Sequence, residues 1–205
     1  MLNEAGFDLW ADGYEESVDV SDENNSYPFA GYKKILNRIC GIVAQKKEGV
    51  VLDIGFGTGV LAAKLYELGF EVWGQDFSEK MIEHARAKMP GAHLFQGDFS
   101  KGLAEPLLHN TYDFIIATYS LHHLQDEEKI NLIGTLRKLL SPQGKILIGD
   151  VAFETVENRE ECRIDSGDEW DEEEIYFVWE EIAGTFPDMK FEKVSDCSGI
   201  LSLGY

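Results

Sequence analysis

The stretch VVLDIGFGTGVLAAKL, residues 50–65, decides the fold. It begins with VVLDI, a short and mostly apolar run that is typical of a strand buried in a parallel sheet. Asp53 stands near the end of this run, and Gly55, Gly57 and Gly59 follow at alternate positions. Glycine lets a ligand approach the backbone closely, because no side chain stands in the way. The stretch therefore predicts a strand, a ligand-binding turn and a helix whose first N–H groups can bind polar atoms.

The segments outside this stretch alternate between strand and helix patterns. Further strands are predicted at 70–76, 93–98, 112–120, 145–153, 190–196 and 199–205, and a turn at 141–144. Further helices are predicted at 3–18, at 29–45, from the cap Ser78 to Lys88, from the cap Asp126 to Leu140, and over 175–186. This order predicts an α/β fold, a Rossmann-like doubly wound sheet that is mostly parallel with a C-terminal antiparallel strand and helices on both faces.

The residues around the glycines bear on the kind of nucleotide that the turn would take. The dinucleotide fingerprint GxGxxG/A requires a small residue where Val60 stands, so an NAD-dependent oxidoreductase is the weaker alternative. Asp76 closes the next strand, about 20 residues after the glycines, where a carboxylate can accept hydrogen bonds from two ribose hydroxyls. The pattern thus predicts a ligand with a ribose and disfavours a dinucleotide.

DIGFGTG, residues 53–59, resembles the D/E-x-G-x-G-x-G loop of the class I S-adenosylmethionine-dependent methyltransferases. QGDFS at 96–100, ATYSLHHL at 117–124 and FDLWADGYEESV at 7–18 also resemble motifs of the small-molecule members. The resemblance covers residues 50–153 well and the ends loosely. It implies that S-adenosylmethionine is the cofactor. The cofactor-binding residues that it implies are Tyr14, Asp53, Gly55, Gly57, Gly59, Asp76, Phe77, Met81, Asp98, Phe99, Thr118 and Tyr119.

The resemblance also assigns roles to individual residues. Asp53 would lie near the ammonium group of the cofactor, and Asp98 would accept a hydrogen bond from the adenine amino group. His122 and His123 follow the fourth strand and are the candidate catalytic residues, because histidine can act as a general base near neutral pH. No NPPY-like run follows that strand, which argues against exocyclic amines of nucleic acids and glutamine amides as acceptors.

The domain organisation is predicted as one methyltransferase domain over 1–205, with a helical lid at 1–48 and a substrate-side cap at 154–188. The acidic segment 154–174 is predicted to be a solvated face or a mobile loop. No CxxC pair and no calcium-loop pattern occur, so no metal site is expected. The three cysteines are expected to be reduced structural thiols, since their number is odd and their spacing wide.

Composition limits the partners. The net charge of −20 disfavours nucleic acids and anionic membrane surfaces, which bind basic proteins. No apolar run reaches the roughly 18 residues of a membrane span, and the acidic N-terminus does not resemble a signal peptide, so a cytoplasmic location is expected. The oligomeric state stays open.

The leading function is therefore methyl transfer from S-adenosylmethionine to a small-molecule acceptor. A non-catalytic module that binds S-adenosylmethionine is an open alternative, because the recognisable residues all concern the cofactor. The acceptor atom stays open as well, since oxygen, nitrogen, sulfur and carbon acceptors share this scaffold.

Overall fold

The computed structural model describes residues 27–204, and its centre is an eight-stranded mixed sheet. The described strands are β1 Val50–Ile54, β2 Glu71–Asp76, β3 His93–Gln96, β4 Tyr112–Thr118, β5 Leu140–Phe153, β6 Phe177–Val178, β7 Lys190–Lys193 and β8 Ser198–Gly204. The described α-helices are α1 Tyr32–Val43, α2 Val60–Glu67, α3 Glu79–Lys88, α4 Glu105–Leu108, α5 Asp126–Lys138, α6 Val156–Ser166 and α7 Trp179–Ile182. The predicted helix at 3–18 lies outside the described residues.

The sheet has the strand order β3-β2-β1-β4-β5-β8-β7, and β6 pairs with the end of β5 outside this path. β1 pairs in parallel with β2 on one side and with β4 on the other. β8 runs antiparallel to both of its neighbours, β5 and β7. These pairings confirm the predicted Rossmann-like fold. The reversal of strand order between β1 and β4 opens a crevice at the carboxyl ends of these strands.

Helices cover both faces of the sheet. On one face α5 buries Leu132 and Leu136 against the sheet, and on the other α1 buries Ile35 and Ile39. A Cβ on Gly149 of β5 would lie 2.3 Å from Cγ2 of Ile35, so α1 packs directly on the backbone of the strand. The close approach depends on a residue without a side chain. α1 is therefore part of the core.

The structure confirms one of the two predicted helix caps and contradicts the other. Oγ of Ser78 accepts a hydrogen bond from the N–H of Met81 at 3.2 Å, which confirms it as the cap of α3. Asp126 is the first helical residue of α5, so its assignment as the cap is wrong. Gln125 is the cap, and it forms a capping box with Glu128. A capping box satisfies two N–H groups at once, which explains why the helix begins there.

Two predicted boundaries near the sheet are also wrong. β5 begins at Leu140, because Leu140 already pairs with Tyr112 of β4. The regular pairing resumes where Lys145 of β5 pairs with Phe114 of β4. Residues 141–144, predicted as a separate turn, bulge out between these two points. The helix predicted over 175–186 is replaced by the short strand β6 and the four-residue helix α7, because the β-forming Phe177–Val178 pairs with the end of β5.

The acidic segment 154–174 contains the helix α6, so the prediction of a solvated face or a mobile loop is wrong in part. Thr155 caps α6, and the helix packs on β5 and buries Cys162. Cys162 forms a disulfide with Cys197, with the two Cα atoms 5.9 Å apart, and Cys40 is free. The prediction of three reduced thiols is therefore wrong: the adjacency of β5 and β8 joins cysteines that are 35 residues apart.

The described helices are short or polar relative to a membrane span. No helix within residues 27–204 is both long enough and apolar enough to cross a bilayer.

Candidate active site

A cavity of about 650 Å³ opens at the carboxyl ends of β1, β2 and β4, where the strand order reverses. The loops after these strands and after β3 line it, together with segments 27–32 and 169–174. Open α/β sheets bind nucleotide-type ligands at this position. The sheet topology and the cavity therefore point to the same edge of the molecule.

The turn after β1 carries two glycines along the cavity wall, Gly55 and Gly57. Gly55 has a φ of +68°, and its N–H donates to the carbonyl oxygen of Gln75 at 2.8 Å. A Cβ on Gly55 would lie 2.4 Å from Cβ of Ser120. The backbone conformation and the lack of space both require glycine at this point of the turn.

Gly59, the third glycine of the turn, lies outside the cavity lining. It precedes α2 with a φ of +77°, and a Cβ there would lie 3.0 Å from Cε of Met89. Its assignment as a cofactor-binding residue therefore finds no support in this geometry. The glycine instead allows α2 to pack closely against α3 and its end.

Asp53 presents a buried carboxyl group to the cavity. The residue is 1% exposed, and its Oδ1 atom accepts no hydrogen bond from any described residue. Burial, together with the nearby carboxylate of Asp76, raises the pKa of Asp53 to about 8. A buried carboxyl oxygen is costly to leave without a donor, and a ligand ammonium group would supply one.

Asp76, at the end of β2, is fixed at the cavity wall by two backbone groups. Its Oδ2 accepts a hydrogen bond from the N–H of Gly57 at 2.8 Å, and its Oδ1 accepts one from the N–H of Ser78 at 2.9 Å. Each carboxylate oxygen can accept a further hydrogen bond, so two ligand hydroxyls could be held here. The side chains of Phe77 and Met81 line the cavity beside it.

The turn after β3 brings Asp98 and Phe99 to the cavity, as predicted. Oδ1 of Asp98 accepts a hydrogen bond from the N–H of Ser100 at 3.0 Å, and its Oδ2 lies 2.9 Å from Nζ of Lys101. Partial burial raises the pKa of Asp98, but the contacts with Ser100 and Lys101 outweigh it and hold the pKa below its ordinary value. Asp98 is thus an ionised hydrogen-bond acceptor.

The predicted residues Thr118 and Tyr119 line the cavity where β4 ends. Tyr119 has a φ of +50°, and its ring centre lies 5.4 Å from that of Phe29 and 5.1 Å from that of Tyr32. Phe29, Tyr32 and Tyr119 therefore form an aromatic wall of the cavity. Within the described part of the predicted lid, the residues that line the cavity lie in the segment 27–32. Tyr14 lies outside the described residues.

The 3-10 turn Leu121–His123 places both predicted catalytic histidines on the cavity. Nδ1 of His122 lies 2.6 Å from Oδ1 of Asp150, and its Nε2 lies 3.5 Å from Oε1 of Glu174. Burial lowers the pKa of His122, but the carboxylates of Asp150 and Glu174 raise it above its ordinary value. Burial and the neighbouring His122 lower the pKa of His123 to about 3, so its ring is neutral near pH 7.

Asp150 and Glu174 complete this cluster, and the sequence analysis assigned neither of them a separate role at the site. Asp150 is fully buried and accepts hydrogen bonds from the N–H groups of Leu121 and Val151. The sequence could have indicated a role for Asp150, since it is a single acid within the mostly apolar run KILIGDVAF. It could not have distinguished Glu174 from its neighbours in the acidic run 171–174.

Aromatic residues join the segment around residue 27 to the segment that carries Glu174. The ring centre of Trp170 lies 5.2 Å from that of Tyr27 and 4.8 Å from that of Tyr176. The hydroxyl groups of Tyr27 and Tyr176 are in contact, and the oxygen of Tyr27 accepts a hydrogen bond from the N–H of Asp171 at 3.0 Å. This cluster closes one side of the cavity.

Acidic side chains dominate the charge of the cavity. The acids among its described lining residues are Asp53, Asp76, Asp98, Glu128, Glu169, Asp171 and Glu174. Neither Lys nor Arg occurs among the described residues that line it. A bound anion would therefore meet neither Lys nor Arg, whereas a cation would be attracted to the acids.

Comparisons with known proteins agree with this site. Residues 51–144 match the family model described as a methyltransferase domain. The chain is 33% identical over 200 residues to an uncharacterized methyltransferase of Alkaliphilus oremlandii, which covers 97% of this chain and 87% of that protein. Among solved structures, the DhpI–SAH complex has a TM-score of 0.71 at 16% identity, covering 98% and 93% of the two chains. The magnesium protoporphyrin IX methyltransferase of Synechocystis PCC 6803 with bound SAH has a TM-score of 0.66 at 20% identity, covering 85% and 83%.

The chain therefore belongs to the class I S-adenosylmethionine-dependent methyltransferases. This membership confirms the resemblance of the glycine turn and makes S-adenosylmethionine the cofactor. It also decides against the oxidoreductase alternative.

Proposed function

We propose that this protein transfers the methyl group of S-adenosylmethionine to a small-molecule acceptor that is neutral or positively charged. One observation carries the proposal: a single cavity joins the turns after β1, β2 and β3 to a pocket lined by His122, His123 and Glu174. We call the first part the cofactor half and the second part the acceptor half. Methyl transfer requires two ligands side by side, and the cavity offers a place for each.

The residues of the cofactor half fit S-adenosylmethionine. Oδ1 of Asp53 is buried without a donor from the described residues, as a binding site for the ammonium group of the methionine part requires. Asp76 is held so that its two oxygens can accept the ribose hydroxyls, and Asp98 can accept from the adenine amino group. When bound, the cofactor supplies an activated methyl group on a positively charged sulfur atom.

The side chains of the acceptor half favour an acceptor that is neutral or positively charged. Glu169, Asp171 and Glu174 line it, and neither Lys nor Arg occurs in the described lining to neutralise a carboxylate or phosphate. Asp150 and Glu174 already offset the positive charge that His122 carries when protonated. Desolvating an anion without a charged partner is costly, so anionic acceptors would bind poorly. The same charge argues against nucleic acids as substrates.

We assign the predicted substrate-side cap, 154–188, to the acceptor half. Lys129 of α5 anchors this segment, because its Nζ donates a hydrogen bond to the carbonyl oxygen of Ile175. A second hydrogen bond, to Oδ1 of Asp126 in the same helix, holds the ammonium group in position. Ile175 directly follows Glu174, so the anchor holds that carboxylate in place over the cavity.

His122 is the better candidate to take a proton from the acceptor. Its Nδ1 is held by Asp150, which leaves Nε2 on the side of Glu174 and the cavity. A carboxylate that holds the imidazole in this way stabilises its protonated form. His123 binds a proton weakly and would contribute by accepting hydrogen bonds.

A methyl-transfer assay tests the proposal. The purified protein is incubated with S-adenosylmethionine and matched series of acceptors: amines, thiols and phenols against carboxylates and phosphonates. Formation of S-adenosylhomocysteine is followed by mass spectrometry. We expect turnover with neutral or cationic acceptors and none above background with the anionic series.

Two results would contradict the proposal. Turnover confined to anionic acceptors would show that the acidic lining does not select the acceptor. Tight binding of S-adenosylmethionine without turnover across the whole panel would favour the non-catalytic binding module.

A further inference from the structure

The acceptor half contains a group of potential metal ligands that the cofactor chemistry does not use. His122, His123 and Glu174 each offer one ligand atom, and these atoms all lie within 4.8 Å of one another. Oε1 of Glu174 lies 3.5 Å from Nε2 of His122 and 4.0 Å from Nδ1 of His123. All three residues line the cavity.

The distances suit a small divalent ion. Bonds of about 2.0–2.1 Å in a tetrahedral arrangement place two ligand atoms roughly 3.4 Å apart. The separations of 3.5 Å and 4.0 Å come close to this value, and every pair of the three ligand atoms lies within 4.8 Å, so side-chain movements that bring these atoms closer together would complete the site. Two histidines and one glutamate form the protein ligand set of some catalytic zinc sites, in which the fourth position is open.

Neighbouring residues orient the ligands. Nδ1 of His122 is held at 2.6 Å by the buried carboxylate of Asp150, which leaves Nε2 for another partner. Metal-binding histidines commonly have such a carboxylate on their second nitrogen. Glu174 is held in a similar way, because its Oε2 accepts a hydrogen bond from the hydroxyl of Tyr176 at 2.8 Å while Oε1 faces the histidines.

We propose that His122, His123 and Glu174 bind a divalent transition-metal ion such as Zn²⁺, with an open position that faces the cavity. This proposal deepens the proposed function and rests on it in one respect: the nucleophilic atom of the methyl acceptor would replace water at the open position. The metal would then lower the pKa of the bound acceptor, whose proton would pass to solvent, and His122 would serve as a ligand and no longer as the base. It would also favour acceptors with a thiol, hydroxyl or amine group, since these ligate zinc-like ions.

The test measures metal binding directly. The full-length protein is treated with a chelator, dialysed and titrated with Co²⁺, whose visible absorption reports the coordination number, and then with Zn²⁺ by calorimetry. We expect one equivalent to bind with the strong absorption of a four- or five-coordinate ion. Glu174→Gln and His123→Gln should each weaken binding by at least about tenfold.

Glu169→Gln is the matched control, because Glu169 also lines the cavity but lies outside the ligand group. It should bind Co²⁺ as the wild type does. No stoichiometric binding by the wild type, or equal affinity in Glu174→Gln, would overturn the proposal and leave the cluster as a hydrogen-bond network that holds the cap.

Calorimetry with S-adenosylhomocysteine on the same samples separates the two proposals. Retained binding of this ligand without metal binding would overturn the metal site alone. If the wild-type protein does not bind S-adenosylhomocysteine, the proposed function is overturned.

Discussion

The two halves of the cavity are built in different ways. In the cofactor half, residues such as Gly55, Asp76 and Asp98 follow three successive strands, and the backbone itself forms much of the wall. In the acceptor half, His122 meets Asp150 from the next strand and Glu174 from the cap, which lie 28 and 52 residues further along the chain. Each residue of the cofactor half can be located from the strand that precedes it in the sequence, whereas the contacts of the acceptor half depend on how distant segments pack together.

This difference predicts that a change in one half affects one ligand and spares the other. Gly55→Ala should have the largest effect, because its Cβ would meet Ser120 and alanine disfavours a φ of +68°. We expect the affinity for S-adenosylhomocysteine to fall at least about a hundredfold, since the clash displaces the turn that forms the wall. Calorimetry measures this loss.

Gly69→Ala is its control. Gly69 has a φ of +94°, but a Cβ there would meet no atom within 4 Å, and the residue lies outside the cavity lining. Each variant should lose stability through backbone strain, while only Gly55→Ala should lose the ligand. Equal ligand affinities in the two variants would show that the turn does not bind the cofactor.

Asp53 predicts a pH dependence of cofactor binding. Its pKa of about 8 means that the unliganded protein holds a proton there at neutral pH, and an ammonium group would displace that proton. The affinity for S-adenosylhomocysteine should therefore rise with pH by up to about tenfold per unit below pH 8 and then level off. Calorimetry in buffers of different ionisation heat would also show the release of a proton.

The variant Asp53→Asn separates the protein contribution from that of the ligand amine. It should bind more weakly and lose the proton release assigned to residue 53. The stability of the unliganded protein should change with pH in the opposite direction to the affinity. Because the pKa of Asp53 is higher in the folded than in the unfolded state, its protonation stabilises the fold at low pH, and this stabilisation is lost as the pH rises from about 4 towards 8. Asp53→Asn should thus unfold with a weaker pH dependence in this range, and an unchanged dependence would contradict the assignment.

Asp171→Asn should have the smallest effect and confine it to the acceptor half. Asp171 is exposed at the cavity, so salt screens its charge. For a cationic acceptor we expect KM to rise about threefold at low salt, and for a neutral acceptor no change. The affinity for S-adenosylhomocysteine should stay within error. A change in that affinity as large as the change in KM would show that the two halves are coupled.

How much the sequence could predict follows the same division. The glycine turn, Asp76 and Asp98 were recognisable because each follows its strand directly in the chain, and the fold class followed from the alternation of strands and helices. The cap Gln125 and the strand β6 were missed, since a capping box and a two-residue pairing leave weak local patterns. The wide spacing of Cys162 and Cys197 predicts separate thiols, because only the packing of α6 on β5 and the pairing of β5 with β8 bring them together.

The histidines illustrate the limit within one short motif. The resemblance of ATYSLHHL, residues 117–124, predicts their position after β4 but not their environment. Asp150 and Glu174 raise the pKa of His122, whereas burial and the neighbouring His122 lower the pKa of His123, so His122 is the more basic of the two. Such electrostatic differences between adjacent residues depend on neighbours that the chain order does not reveal.

The most direct test of this account is a calorimetric titration of the wild-type protein with S-adenosylmethionine, S-adenosylhomocysteine and NAD. We predict saturable binding of the first two ligands at one equivalent, with micromolar affinity, and no measurable binding of NAD. Failure of both adenosyl ligands to bind, or tighter binding of NAD, would contradict the assignment of the cavity and its glycine turn to S-adenosylmethionine.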